Sequence, residues 1–244
     1  MRFILIRAKS FLRTLLFLLF MGRAAYGQDH YVLNKGIPNN NVSNLLGRVK
    51  RSVLRHHPSL VIIMIGTNDM VNPPKRVSYK TYEENLSKLI GHVKTSGTDV
   101  LLLTLPHVDT VDLFKRHRRK KYRIPPNERI DSANIIIRRI SKNQHCMFLD
   151  IDSIFQAHHS PNRTASSLIR NEKNAGAKDG VHPTPQGYQI IAESIAGFLK
   201  NTGKLYPKVI CFGDSITFGA YVKGEGSTRG KTYPAVLKRL LFPK

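Results

Sequence analysis

"VICFGDSITFG", Val209 to Gly219, is a buried apolar run that ends in Gly-Asp-Ser, a turn that lifts a serine out of a sheet, and only about one helix follows it. Apolar, β-rich runs of the same kind stand at residues 30–36, 59–69, 98–106, 146–151 and 208–215. Near-continuous apolar content suits strands buried on both faces, as in a parallel sheet covered by helices. Helical patterns lie between them at 41–57, 79–97, 127–143, 185–201 and 234–241. In the second of these, Leu86, Leu89, Ile90 and Val93 recur at helical spacing and Gly97 closes the helix. Strand and helix alternating at this period predict an α/β sandwich built from βαβ units.

A chain of 244 residues that is 41% hydrophobic has enough apolar content for one full core. Thirty-nine Lys and Arg against sixteen Asp and Glu give a formal charge of +23, which favours anionic surfaces and says little about the fold. Cys146 and Cys211 both lie in strand-like runs without metal-ligand spacing, so they read as small core residues, and no cofactor or metal is expected. At the N-terminus, Arg2, Arg7, Lys9 and Arg13 precede the uncharged run Thr14 to Gly22, and Ala25 and Gly27 follow. That order predicts a signal peptide over residues 1–27 and a secreted or periplasmic domain over 28–244. The alternative is an uncleaved terminal amphipathic or core helix on a cytoplasmic protein. The apolar run is too short to span a bilayer.

Ligands of doubly wound sheets bind beyond the carboxyl ends of the strands. Three such places carry chemically loaded residues: Gly213-Asp214-Ser215, Gly66-Thr67-Asn68-Asp69, and the loop "DGVHP" with Asp179 and His182. Together they supply a hydroxyl, an amide donor, a carboxylate and an imidazole. Acyl transfer by serine needs those parts: a base to take the proton of a poorly nucleophilic hydroxyl, a carboxylate to orient the base, and donors to meet the oxyanion. Asp179 and His182 are three residues apart on one loop, close enough for the carboxylate to hold the imidazole from behind.

"FGDSITFG", "IGTNDM", "DGVHPTPQGY" and "NKGIPNNN" together resemble the sequence blocks of the SGNH or GDSL hydrolases, over essentially everything after residue 27. The resemblance implies a flavodoxin-like three-layer α/β/α sandwich with a five-stranded parallel sheet. It also implies a serine esterase that cleaves carboxylic esters, of carbohydrates or lipids, through an acyl-serine intermediate. By the same resemblance Ser215 is the nucleophile, His182 the base and Asp179 its partner. The backbone N–H of Ser215 and the side chain of Asn68 become oxyanion donors, with blocks at 213–219, 66–69, 179–182 and near 34–41. The family's oxyanion-hole glycine falls on Asn39, which keeps a backbone N–H and tolerates the left-handed conformation better than most residues.

The order of the blocks departs from the family. The Gly-Asp-Ser block stands last here and first there, as though the chain had been circularly permuted. Residues 201–207 would then join the old termini, and the new break would fall between Leu241 and Tyr31, on the face away from the site. A wrongly opened gene model would produce the same order.

The stretch 224–232, "GEGSTRGKT", imitates a phosphate-binding loop but has Glu225 where a glycine is required, and it reads as a loop bordering the pocket. The basic run 115–123, "KRHRRKKYR", reads either as a solvated loop or as a weak contact for an anionic polymer. The pairs His56-His57 and His158-His159 read as surface or helix-end residues. The expected partner is a small-molecule or glycan ester, with no obligatory nucleic acid and no membrane span. Two rival readings use the same residues differently: an O-acyltransferase delivering the acyl group to a sugar hydroxyl, and an idle binder of anionic polymer.

Overall fold

The computed structural model describes residues 30–243, and the expected signal peptide lies outside them. Five strands form one parallel sheet in the order β1-β5-β2-β3-β4. They are β1 (Tyr31–Gly36), β2 (Leu60–Met64), β3 (Asp99–Leu103), β4 (Met147–Leu149) and β5 (Lys208–Gly213). Every residue of β2 is buried, as is all of β5 after Lys208, which is why those runs are apolar without alternation.

Helices cover the two faces. On one, α1 (Val42–Ser52), α3 (Tyr79–Lys94) and α5 (Pro126–Asn143) pack side by side. On the other, α8 (Pro185–Asn201) packs against α10 (Tyr233–Leu241), which also covers β1. The inward stripe of α3 is Tyr82, Leu86, Leu89, Ile90 and Val93, and that of α8 is Tyr188, Ile191, Ala192, Ile195 and Leu199. Three- and four-residue spacing places each set on one side of its helix. This is a three-layer α/β/α sandwich. Among the described residues no helix is long and apolar enough to cross a membrane.

Several elements differ from the sequence reading, and short caps explain most of the difference. The run 59–69 holds a strand only to Met64. Gly66 then takes φ 137°, a conformation closed to side-chain-bearing residues, and α2 (Thr67–Val71) begins. A Cβ on Gly66 would come within 2.7 Å of the Tyr82 hydroxyl and of Leu105. Four further helices are too short to show a periodic pattern: α4 (Thr110–Arg116), α6 (Ile151–Ala157), α7 (Glu172–Ala175) and α9 (Ser215–Phe218). Each starts on a side chain that accepts from the first turn's backbone N–H groups, respectively Asp109, Asp150, Asn171 and Asp214.

The register fixes where chemistry is possible. Gly36 of β1 and Met64 of β2 both lie opposite Gly213 of β5, so three adjacent strands end at one level. The loops after them, 37–41, 65–66 and 214, open on the same side. Close approach there demands glycine: a Cβ on Gly213 would sit 2.2 Å from Thr217 Oγ1 and 2.3 Å from the Met64 carbonyl, and one on Gly36 2.1 Å from the Phe218 nitrogen.

Candidate active site

Ser215 stands at the first position of α9, directly beyond β5, where Asp214 caps the helix by accepting from Ile216 N–H at 2.9 Å. The loop 176–184 crosses above it, pinned by a short antiparallel exchange with the strand-like segment 168–170. Thr184 N–H donates to the Leu168 carbonyl, Arg170 N–H to His182 and Gly180 N–H to Arg170, at 2.7–2.9 Å. Gly180, at φ 75°, lets this loop press on α4, where a Cβ would meet the Asp109 carbonyl at 2.4 Å.

That crossing brings three of the expected residues into a line. Ser215 Oγ lies 3.0 Å from His182 Nε2, and His182 Nδ1 lies 2.9 and 3.0 Å from the two carboxylate oxygens of Asp179. The carboxylate facing Nδ1 keeps the proton on that nitrogen, so Nε2 is left to accept from the serine hydroxyl. Asp179 Oδ1 also accepts from Val181 N–H and His182 N–H at 3.0 and 3.1 Å. Burial by itself would raise the Asp179 pKa, but the hydrogen bonds and charge of His182, with Arg116 behind them, hold it down at about 2.

Two arginines that sequence reasoning missed complete this surrounding. Arg116, at the end of α4, donates to Asp179 Oδ1 at 3.1 Å, and Arg170 Nε lies 3.5 Å from Oδ2. Arg170 also stacks over the Tyr221 ring at 4.9 Å, and that ring meets the His182 imidazole edge-on at 5.0 Å. The basic run 115–123 pointed to the region of Arg116. Nothing local marks Arg170 or Tyr221, which reach the site only through the fold.

The cavity beside Ser215 measures about 240 Å³ and is bordered by Asn39, Asn68, Arg116, His182, Tyr221 and Glu225. Asn39 is left-handed at φ 62°. Asn68 Nδ2 donates to the Asn40 carbonyl at 2.9 Å, and its Oδ1 accepts from Asn72 at 2.9 Å, so the amide is oriented from both ends. Its second N–H is not used by either bond. Behind these loops Arg48 is 4% exposed, packs over Phe212, and donates to Lys35 O, Gly213 O and Asn40 Oδ1. It ties the ends of β1 and β5 to the loop that holds Asn39. Burial, then the charge of Arg51, lowers the Arg48 pKa to about 10.

Glu225 confirms the imitation phosphate loop as a border of the cavity. Among the described residues one group has the spacing of metal ligands: His107, Asp131 and Asp152. There His107 Nε2 already pairs with Asp131 at 2.7 Å, and Asp152 accepts from His107 N–H and Gln156. Cys146 and Cys211 are free thiols.

A family model described as GDSL-like lipase/acylhydrolase matches residues 20–190. The chain belongs to that family. Its members cleave esters, and this chain is an ester hydrolase of the GDSL type. The matched residues include 34–41, 66–69 and 179–182 and stop short of β5 and Ser215. An arylesterase of Vibrio mimicus is 28% identical over 175 residues, 70% of either chain. An acetylxylan esterase of Geobacillus stearothermophilus is 26% identical over 179 residues, 70% of this chain and 72% of that one. The crystal structure of a lipase/acylhydrolase from Enterococcus faecalis shares the fold with a TM-score of 0.52 at 20% identity, over 71% of this chain and 76% of that one.

Proposed function

We propose that the protein hydrolyses short-chain carboxylic esters through an acyl-serine intermediate, with Ser215 as nucleophile, His182 as general base and Asp179 as its orienting partner. The observation that carries this reading is the unbroken hydrogen-bonded line from Ser215 Oγ through the imidazole to Asp179. Ser215 Oγ attacks the ester carbonyl while Nε2 takes its proton. The imidazolium then protonates the departing alkoxide, and a water activated by the same nitrogen releases the acid. Asp179, held near pKa 2, stays ionised throughout and stabilises the imidazolium. The Ser215 N–H, the spare Asn68 N–H and the Asn39 N–H serve as oxyanion donors. A cavity of about 240 Å³ is below the roughly 300–1,000 Å³ of drug-sized sites, which favours an acetyl-sized acyl group over a fatty chain. The similarity to an acetylxylan esterase points the same way, toward acetyl esters of carbohydrates.

The motif order belongs to the same proposal: the chain is a circular permutation of the family's arrangement. Counted from β5 instead of β1, the sheet reads 2-1-3-4-5, the flavodoxin-like order. Tyr31 N–H bonds to Pro207 O, and Leu241 and Phe242 line one surface depression with Leu205 and Tyr206, so the beginning of β1, the end of α10 and the 202–207 joint lie together. The family match, which ends before the Ser215 strand, is what a rotated order produces.

The test is intact-mass analysis of residues 28–244 after incubation with a fluorophosphonate, with Ser215→Ala in parallel. One adduct, absent from the variant, is the expected outcome and would show that this chain order assembles an activated serine. A folded sample without an adduct would overturn the mechanism.

A further inference from the structure

The basic run 115–123 carries more positive charge than the contacts of the serine site use. Its first cations are neutralised: Lys115 pairs with Asp112 and Glu172, and Arg116 with Asp179. The cations that follow, Arg118, Arg119, Lys120, Lys121 and Arg123, are all exposed, and among the described residues none of them pairs with a carboxylate. Arg76 joins them, donating to the Lys121 carbonyl and lying over the Tyr122 ring.

The segment is held at both ends. Arg116 fastens it to the Asp179 loop, and Tyr122 Oη donates to the Val71 carbonyl at 2.7 Å. Phe114 and Tyr122 meet edge-to-face at 5.4 Å, closing the segment on itself, and a short 3-10 turn spans Arg119–Lys121, with the Arg119 guanidinium over the Phe114 ring at 5.7 Å. Arg116, His117, Leu113 and Val71 border the catalytic cavity, so this cationic shelf is continuous with its rim. Unpaired like charges held side by side repel one another and gather counterions, which a polyanion lying along them displaces.

We infer that the shelf over residues 118–123 docks an acidic polysaccharide, and that the substrate is an O-acyl group carried on that polymer; the inference rests on the ester-hydrolase reading of the same site. The polymer supplies both parts the structure calls for, carboxylates along its length for the shelf and a short ester for the cavity. Single-stranded nucleic acid fits less well, because the run has one aromatic ring, Tyr122, and that ring already carries the Arg76 guanidinium over it and meets Phe114. A fatty-acyl lipid fits less well because a cavity of about 240 Å³ is small for a long acyl chain.

The test compares the natural chain with the variant Arg118→Gln/Arg119→Gln/Lys120→Gln/Lys121→Gln on acetylated polygalacturonate and acetylated dextran, which share the ester and differ in charge. The ratio of kcat/KM on the acidic polymer to that on the neutral one should fall about tenfold in the variant. In the natural chain the same ratio should fall as salt shortens the Debye length from about 30 Å to about 8 Å. An unchanged ratio overturns the inference. Binding is read separately by affinity electrophoresis of Ser215→Ala in a polygalacturonate gel. Retardation that the four Gln substitutions abolish supports the shelf even if neither polymer is deacetylated, an outcome that would instead strike the ester-hydrolase reading. Equal migration of the two proteins in that gel, or preferential capture by anionic phospholipid vesicles, overturns it.

Discussion

Asp179 and Asp214 are the same residue type, both almost fully buried and both within a few residues of the Ser215–His182 contact, yet they are driven in opposite directions. Asp179 meets two backbone N–H groups, an imidazole and two guanidinium groups, and sits at about 2. Asp214 has the cap bond from Ile216 N–H, and burial, reinforced by the neighbouring charge of Asp69, pushes it up to about 7. Asp69 follows the same course: burial raises it to about 7 despite the bond from Val42 N–H, and its Oδ2 has no hydrogen-bond partner. Burial penalises all three carboxylates. What separates them is the supply of donors and cations. The carboxylate that the proposed reaction needs charged beside an imidazolium is surrounded by positive groups; one that only caps a turn is left where the neutral form is favoured.

The contrast is broken most severely by exchanging the charges for amides. Asp179→Asn should lower kcat by roughly 10²–10⁴-fold, because the amide no longer fixes the imidazole tautomer or stabilises its cation. Asp214→Asn, which keeps the oxygen that caps α9, should change kcat by less than about tenfold. Steady-state kinetics on a soluble acetyl ester decides the matter, and equal losses would mean that both acids act in the chemistry.

A smaller effect appears in stability against pH. The depressed pKa of Asp179 adds stability that is fully present above the unfolded value of about 4 and is lost as pH falls through about 2. The raised values of Asp69 and Asp214 act in the other sense: their contribution is complete below about 4 and disappears as pH rises through about 7. Asp69→Asn should therefore gain on the natural protein between pH 5 and pH 8.5, by on the order of 1–2 kcal/mol, or about 3–6 °C in Tm. Thermal melts across that range would show the gap widening. A gap that is constant or narrows with pH would refute a neutral Asp69.

The smallest effect sharpens the account of Asp179. Arg116→Gln removes one of its two guanidinium partners and leaves Arg170 and the backbone donors in place. kcat should drop about two- to fivefold, and the acid-side loss of stability, which still begins near the unfolded value of about 4, should be smaller and end at a higher pH. A variant with unchanged kcat and an unchanged acid limb would assign the pairing to structure alone.

Much of this site was legible because its parts are local. "FGDS", "GTND" and "DGVHP" each place a reactive side chain within a few residues of a strand end or helix start, and a glycine in each turn is forced by a close approach. The buried strands were legible from unbroken apolar runs, although α2 and α9 cut two of them short at Gly66 and Asp214. Arg170 and Tyr221 were not legible. One lies on an irregular segment and the other on a turn, and their partners Asp179 and His182 are reached by neither periodicity nor spacing. The shelf was visible as charge, but charge composition does not reveal that Tyr122 and Arg116 clamp it to the cavity rim.

By itself the amino-acid order determined the alternation of strands and helices, the residues available for acyl chemistry and the unusual position of the serine motif at the end of the chain. Those are properties of short windows, where backbone preference and side-chain type suffice. Tertiary structure alone decided that β5 enters the sheet between β1 and β2, that three strands end level at Gly213, and that one buried aspartate is charged while its neighbours are pushed toward neutrality. These depend on distances between residues far apart along the chain, and the energy of a buried charge is set by what the fold places around it.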